Sequence, residues 1–128
     1  MKAKLLKSKD KQEVIFVMIE DMFGDLNSID ILAESKKGEI LLELVCNGFI
    51  NSEPETQTAL LDKMEGYLNY TKSKEFQNEY PNYPVILRVV FTERPDQLIL
   101  DLLHKCRAWA SDYGVIMELK IGGQIIQI

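Results

Sequence analysis

Apolar and polar positions alternate with a period of two along residues 28–46, SIDILAESKKGEILLELVC. Ile29, Ile31 and Ala33 interleave with Asp30, Leu32 and Glu34, and Ile40, Leu42 and Leu44 with Leu41, Glu43 and Val45. That pattern predicts two strands, and Ser35-Lys36-Lys37-Gly38 supplies the polar, glycine-ended turn that makes them a hairpin. Apart from Glu43 the second strand is apolar on both sides. It is therefore expected in the centre of a sheet, with the first strand nearer an edge.

The same pattern divides the rest of the chain. In residues 13–23, Val14, Ile15, Met18, Ile19 and Met22 make one helical face. Asp10 and Glu13 fit a capping box at its start and Gly24 a stop at its end. VIFVMI also fits a strand by composition, but the two end signals favour a helix. A second helix is expected over about 54–72, opened by Ser52–Glu55 with Pro54 in its first turn. Leu60, Met64, Tyr67, Leu68 and Thr71 form its buried side. One short helical turn is expected at Lys74–Glu79, ended by Pro81. Val85–Thr92 reads as a strand, about 95–113 as a helix and Val115–Ile121 as a strand. The third helix would bury Ile99, Leu102, Leu103, Cys106, Ala110 and Tyr113. Gly122-Gly123 can turn the remaining tail back as a short final strand.

This order predicts an α/β (α+β) two-layer sandwich, with two main helices on one face of a mixed sheet of four or five strands. Strands apolar on both sides need cover on both sides. The second face is left to the N-terminal element or to a partner.

At 128 residues, 46% hydrophobic and 27% charged, the chain has the size and balance of one soluble domain. No apolar run is long enough to span a bilayer, and lysines interrupt MKAKLLKSKDKQ where a signal peptide needs an apolar core. A cytoplasmic protein is expected. Residues 1–11 hold five lysines against Asp10, a basic and flexible arm of +4, which leaves −9 of the net −5 on the remainder. An acidic body argues against nucleic acid and suits a basic protein partner.

Candidate chemistry is sparse. Cys46 and Cys106 show no metal-ligand spacing and are expected as buried hydrophobes. No phosphate-cradling loop or dinucleotide fingerprint is present, so no cofactor is expected. His104 falls on the helix face away from the buried stripe, with no triad to serve. A strand aspartate, Asp30, and a glutamate on the next strand, Glu43, outline the two-carboxylate metal site of restriction-endonuclease-like nucleases. The lysine that should follow two residues after the glutamate is Val45 here, so the likeness is either accidental or to a degenerate core without its chemistry. Tyr67, Tyr70, Tyr80 and Tyr83 interleave with Asn69, Asn78 and Asn82. Of these Tyr70, Tyr80, Asn82 and Tyr83 are the candidate partner-binding residues, because tyrosine brings contact area at small entropic cost.

Taken in series, the hairpin IDILAESKKGEILLELV, the segment ALLDKMEGYLNYTKSKEFQNEYP and the ending YGVIMELKI resemble a family of small bacterial proteins known only as a domain of unknown function. The likeness covers residues 28–121 and leaves 1–27 outside. It implies a compact α/β domain of bacterial origin and brings no established active site, cofactor or substrate. The expected role is a non-enzymatic protein-binding module of immunity or accessory type. A homo-oligomer built by pairing an exposed sheet face is the alternative, and a metal-dependent nuclease using Asp30 and Glu43 a third.

Overall fold

In the computed structural model the backbone is described from Lys2 to Ile126 and side chains from Gln12 to Ile126. The elements are α1 (Lys2–Phe23), β1 (Ile31–Glu34), β2 (Ile40–Cys46), α2 (Pro54–Thr71), α3 (Lys74–Glu79), β3 (Val85–Phe91), α4 (Gln97–Asp112), β4 (Val115–Ile121) and β5 (Gln124–Ile126). The N-terminal element is a helix. It runs from Lys2 through the Asp10–Glu13 signal that was expected to start it. The side chains of the expected basic arm, and residues 127 and 128 of the expected last strand, lie outside the described residues.

The sheet has five strands in the order β1-β2-β3-β4-β5. β2, β3 and β4 are parallel, and β1 and β5 pair antiparallel at the two edges. Parallel neighbours need crossovers, which α2–α3 and α4 supply. Because strand order never reverses, the sheet lacks the crevice that doubly wound sheets open at a topological switch point.

Register sorts the side chains into two faces. Ile40, Leu42, Leu44 and Cys46 lie beside Val85, Leu87, Val89 and Phe91, and these beside Val115, Met117, Leu119 and Ile121. Nearly all are buried, and one core joins them to Ile19, Met22 and Phe23 of α1, Leu60, Met64 and Leu68 of α2, Phe76 of α3 and Ile99 and Leu103 of α4. All four helices therefore cover the same face of the sheet. The N-terminal helix, one of the two candidates to cover the other face, packs instead beside α2.

Two local signals act differently from expectation. Ser52 does not cap α2; its hydroxyl donates to Asp96 Oδ2 at 2.9 Å, binding the loops before α2 and α4. The Asn51 carboxamide oxygen accepts from the Glu53 N–H and the Thr56 hydroxyl in its place. On α3, Ser73 does cap, accepting from the Phe76 N–H. In α4, Ile99, Leu103, Cys106 and Ala110 are buried, while Leu102 and Tyr113 are only half-buried.

The two faces predict unequal mutational costs. Leu87→Ala, in the helix-covered layer, should lower unfolding free energy by about 2–5 kcal/mol. Ile116→Ser, on the other face, should change it by no more than about 0.5 kcal/mol. Urea denaturation of the two variants measures both.

Candidate functional site

Tyr67 and Lys63 lie one helical turn apart on α2 and both enter the core. Lys63 is wholly buried, and its ammonium donates to Asp30 Oδ1 at 2.7 Å and to the Phe23 carbonyl at the end of α1. A buried cation needs such partners, since its desolvation is otherwise uncompensated. Asp30 Oδ2 accepts from the Val45 N–H at 2.9 Å, a donor beyond the last pairing of β1 with β2. The Tyr67 hydroxyl accepts from the Asp30 N–H at 2.7 Å and donates to the Glu43 carbonyl at 2.8 Å. It thus stands between two backbones where a ladder bond would be. Burial pushes the Tyr67 phenol above its ordinary value of 10.0, against the Asp30 N–H bond, which lowers it. Burial likewise pushes the Cys46 thiol up, outweighing the nearby Lys63 charge.

The arrangement separates the two candidate carboxylates. Asp30 faces α2 and is neutralised by Lys63, whereas the Glu43 side chain leaves β2 on the opposite face. They cannot grip one ion. No group of three or more His, Cys, Asp or Glu with metal-holding geometry occurs among the described residues. His104 is exposed on α4.

On the face without helices, three rows cross the strands. The first is Ala33, Leu41, Ile86 and Ile116; the second Ile31, Glu43, Arg88 and Glu118; the third Val45, Val90, Lys120 and Ile125. Arg88 Nη1 reaches Glu43 Oε2 at 3.3 Å, and its Nη2 reaches Glu118 Oε1 at 2.8 Å. All three charged side chains are about four-fifths shielded, at 17%, 16% and 17% exposure. Around them Ile31, Ile116 and Ile125 are 44%, 60% and 49% exposed. Two acids and two bases share this face, so its charges balance. Glu43 and Arg88 were each legible as an interruption of an apolar strand, but only the parallel register of β2, β3 and β4 aligns them with Glu118.

The tyrosines gather where β2, β3 and β4 begin. Tyr70, Phe76, Tyr80 and Tyr83 form a chain of tilted and edge-on rings with centroids 5.2, 5.2 and 5.7 Å apart. Phe76 is buried and the tyrosines are half-buried against it. Asn82 is exposed in the left-handed region at φ 61°. Burial and then the Glu75 and Glu79 carboxylates hold the Tyr70 phenol above its ordinary range, and burial and then Glu79 do so for Tyr80. The structure brings the four candidate residues into one neighbourhood. Lys63 and its contact with Asp30 escaped sequence reasoning. The signal for it was a lysine within the apolar stripe of α2, between Leu60 and Tyr67.

These features define a two-layer α+β domain in which one face of the sheet has no covering layer among the described residues. Residues 9–123 match the family described as a family of unknown function (DUF6572), and the chain belongs to it. The match begins at residue 9, so the larger part of α1 is included, where the likeness seen in the sequence began at residue 28. No curated protein and no solved structure matches the chain. No helix among the described residues is long and apolar enough to cross a membrane.

Removing the buried cation should be costly. Lys63→Ala strands Asp30 and the Phe23 carbonyl, and should lower unfolding free energy by about 3–5 kcal/mol; Lys63→Met, which keeps the packing volume, should cost less. For Tyr67→Phe the expected loss is about 1–3 kcal/mol at neutral pH. Above pH 10.0 the unfolded chain releases the Tyr67 proton while the folded chain retains it, so wild-type stability falls through this group. The stability gap between wild type and Tyr67→Phe should therefore narrow as pH rises beyond 10.0. Denaturant titrations across that range measure the gap.

Proposed function

We propose that the chain is a non-enzymatic protein-binding module that receives its partner on the uncovered face of the sheet. The carrying observation is an apolar sheet surface with no covering layer among the described residues, on which Glu43, Arg88 and Glu118 are already paired with one another. An isolated charge on such a face would be stranded when a partner excluded water. In the Glu43–Arg88–Glu118 row one guanidinium serves both carboxylates, so covering it leaves each of the three in contact with an opposite charge. Exposed Ile31, Ile116 and Ile125 then supply the apolar contact.

The partner we assign is a protein with an apolar contact surface and basic flanks. Charge on the binding face balances, and the −9 carried by residues 12–128 lies outside it. That excess would steer a basic partner towards the domain without entering the contact. Tyr70, Tyr80, Asn82 and Tyr83, beside Glu75 and Glu79, stand at the end of the sheet nearest the row Ala33, Leu41, Ile86 and Ile116. They would form the rim. Support for a non-catalytic role comes from the opposed directions of Asp30 and Glu43, the solvent-facing His104 and the absence of a switch-point crevice.

The test is affinity capture with the wild-type chain and with Ile116→Lys in parallel, followed by the mass of the recovered complex. A stoichiometric partner held by wild type and weakened at least tenfold by Ile116→Lys, with unchanged thermal unfolding, is the expected result. Tyr83→Ala should weaken the same complex by a smaller factor. A partner retained equally by Ile116→Lys would remove the sheet face from the reading.

A further inference from the structure

On the uncovered face β4 presents Ile116, Glu118 and Lys120 in turn, and β5 sets Ile125 directly beside Lys120. Ile116 and Ile125 are 60% and 49% exposed. A surface that reaches from one to the other has to pass over Glu118 and Lys120. Glu118 is already held by Arg88. Lys120 belongs to none of the ion pairs among the described residues. It is half-buried, and its cross-strand neighbours Val90 and Ile125 are both apolar.

The charge of the face is therefore unevenly spread. One guanidinium against two carboxylates leaves the row of Glu43, Arg88 and Glu118 at −1. The next row, Val45, Val90, Lys120 and Ile125, carries +1, and the two rows lie roughly 7 Å apart along the strands. While the face is open, water serves the Lys120 ammonium. Covered by an apolar group, that ammonium would lose its hydration with nothing in return.

We infer that, with the sheet face as the binding surface proposed above, Lys120 decides which protein the face accepts. The partner sets one Asp or Glu carboxylate, surrounded by apolar side chains, against the Lys120 ammonium. An apolar residue at that place is opposed by the uncompensated cation and a base by repulsion, so an acid alone completes the contact. The four-carbon stem of Lys120 can pack along Val90 and Ile125 while its head meets the carboxylate. The basic flanks of the partner stay outside this contact, and its acid stands as an isolated negative centre within the apolar patch.

Affinity capture with wild type, Lys120→Met, Lys120→Arg and Ile116→Lys tests this, together with carbodiimide cross-linking, which joins an amine to a carboxylate that touches it. Lys120→Met makes the face more apolar, so a complex held by apolar area alone would keep or gain affinity. The expected result is the reverse, a loss of about thirtyfold or more, because the carboxylate of the partner is stranded. Lys120→Arg should retain most of the affinity. Thermal unfolding of Lys120→Met should match that of wild type. Peptide mapping of the wild-type cross-link should join Lys120 to an Asp or Glu of the captured protein. A complex lost in Ile116→Lys yet equal or tighter in Lys120→Met would overturn the role of Lys120 and leave the sheet face standing as the binding surface. A complex indifferent to both substitutions, or no captured protein at all, would overturn that surface and the role of Lys120 with it. A cross-link from Lys120 to a carboxylate of a second copy of this chain would overturn the choice of a different protein as the partner.

Discussion

The Lys63 ammonium is the point at which three separate parts of the chain are made to agree. It is wholly buried, and its partners come from the end of α1 and the approach to β1. A cation in that position tolerates only arrangements that bring the Phe23 carbonyl and the Asp30 carboxylate to it, because the alternative is an unpaired charge in an apolar core. The carbonyl it takes is at the negative end of the α1 dipole, which adds to the attraction. Asp30 passes the constraint on to β2 through the Val45 N–H, and Tyr67 fixes the gap between β1 and β2 from the same helix. Entry into the sheet is thus set by side chains of α2, which follows it in the chain.

The two layers express two solutions to the same problem. On the helix side, apolar strand residues are closed over by four helices that all contribute to one core. On the other side, the strands combine exposed apolar side chains with a row of paired charges. Arg88 is the hinge of that balance. Without it Glu43 on β2 and Glu118 on β4 would flank β3 as two like charges with no cation between them.

Much of this architecture was legible in the sequence. The hairpin, the two main helices, the Lys74–Glu79 turn and the final Gly-Gly reversal follow from periodicity and from turn residues whose effects are local. The expected layer arrangement holds, and β2 is an internal strand beside the edge strand β1, although β3 takes the centre of the sheet. What local signals could not carry is longer in range. Ser52 carries the signature of a cap, yet a loop brings Asp96 within reach and takes its hydroxyl. Asp10 and Glu13 have the spacing of a helix start, yet the helix passes through them. Asp30 and Glu43 look paired along the chain because a hairpin brings their strands together. Alternation and the Lys63 contact then send them to opposite sides. The tyrosines were recognisable as a cluster, but the buried Phe76 that organises their rings has no special mark in sequence.

The outer strands carry a consequence of their own. The three parallel strands are each seven residues long, but β1 has four and β5 three. Where β1 might have continued, Tyr67 and Asp30 occupy the backbone groups that another strand would use. At the β1 margin a stranger offering its backbone therefore finds few free amides in line, which hinders lateral growth of the sheet from that side.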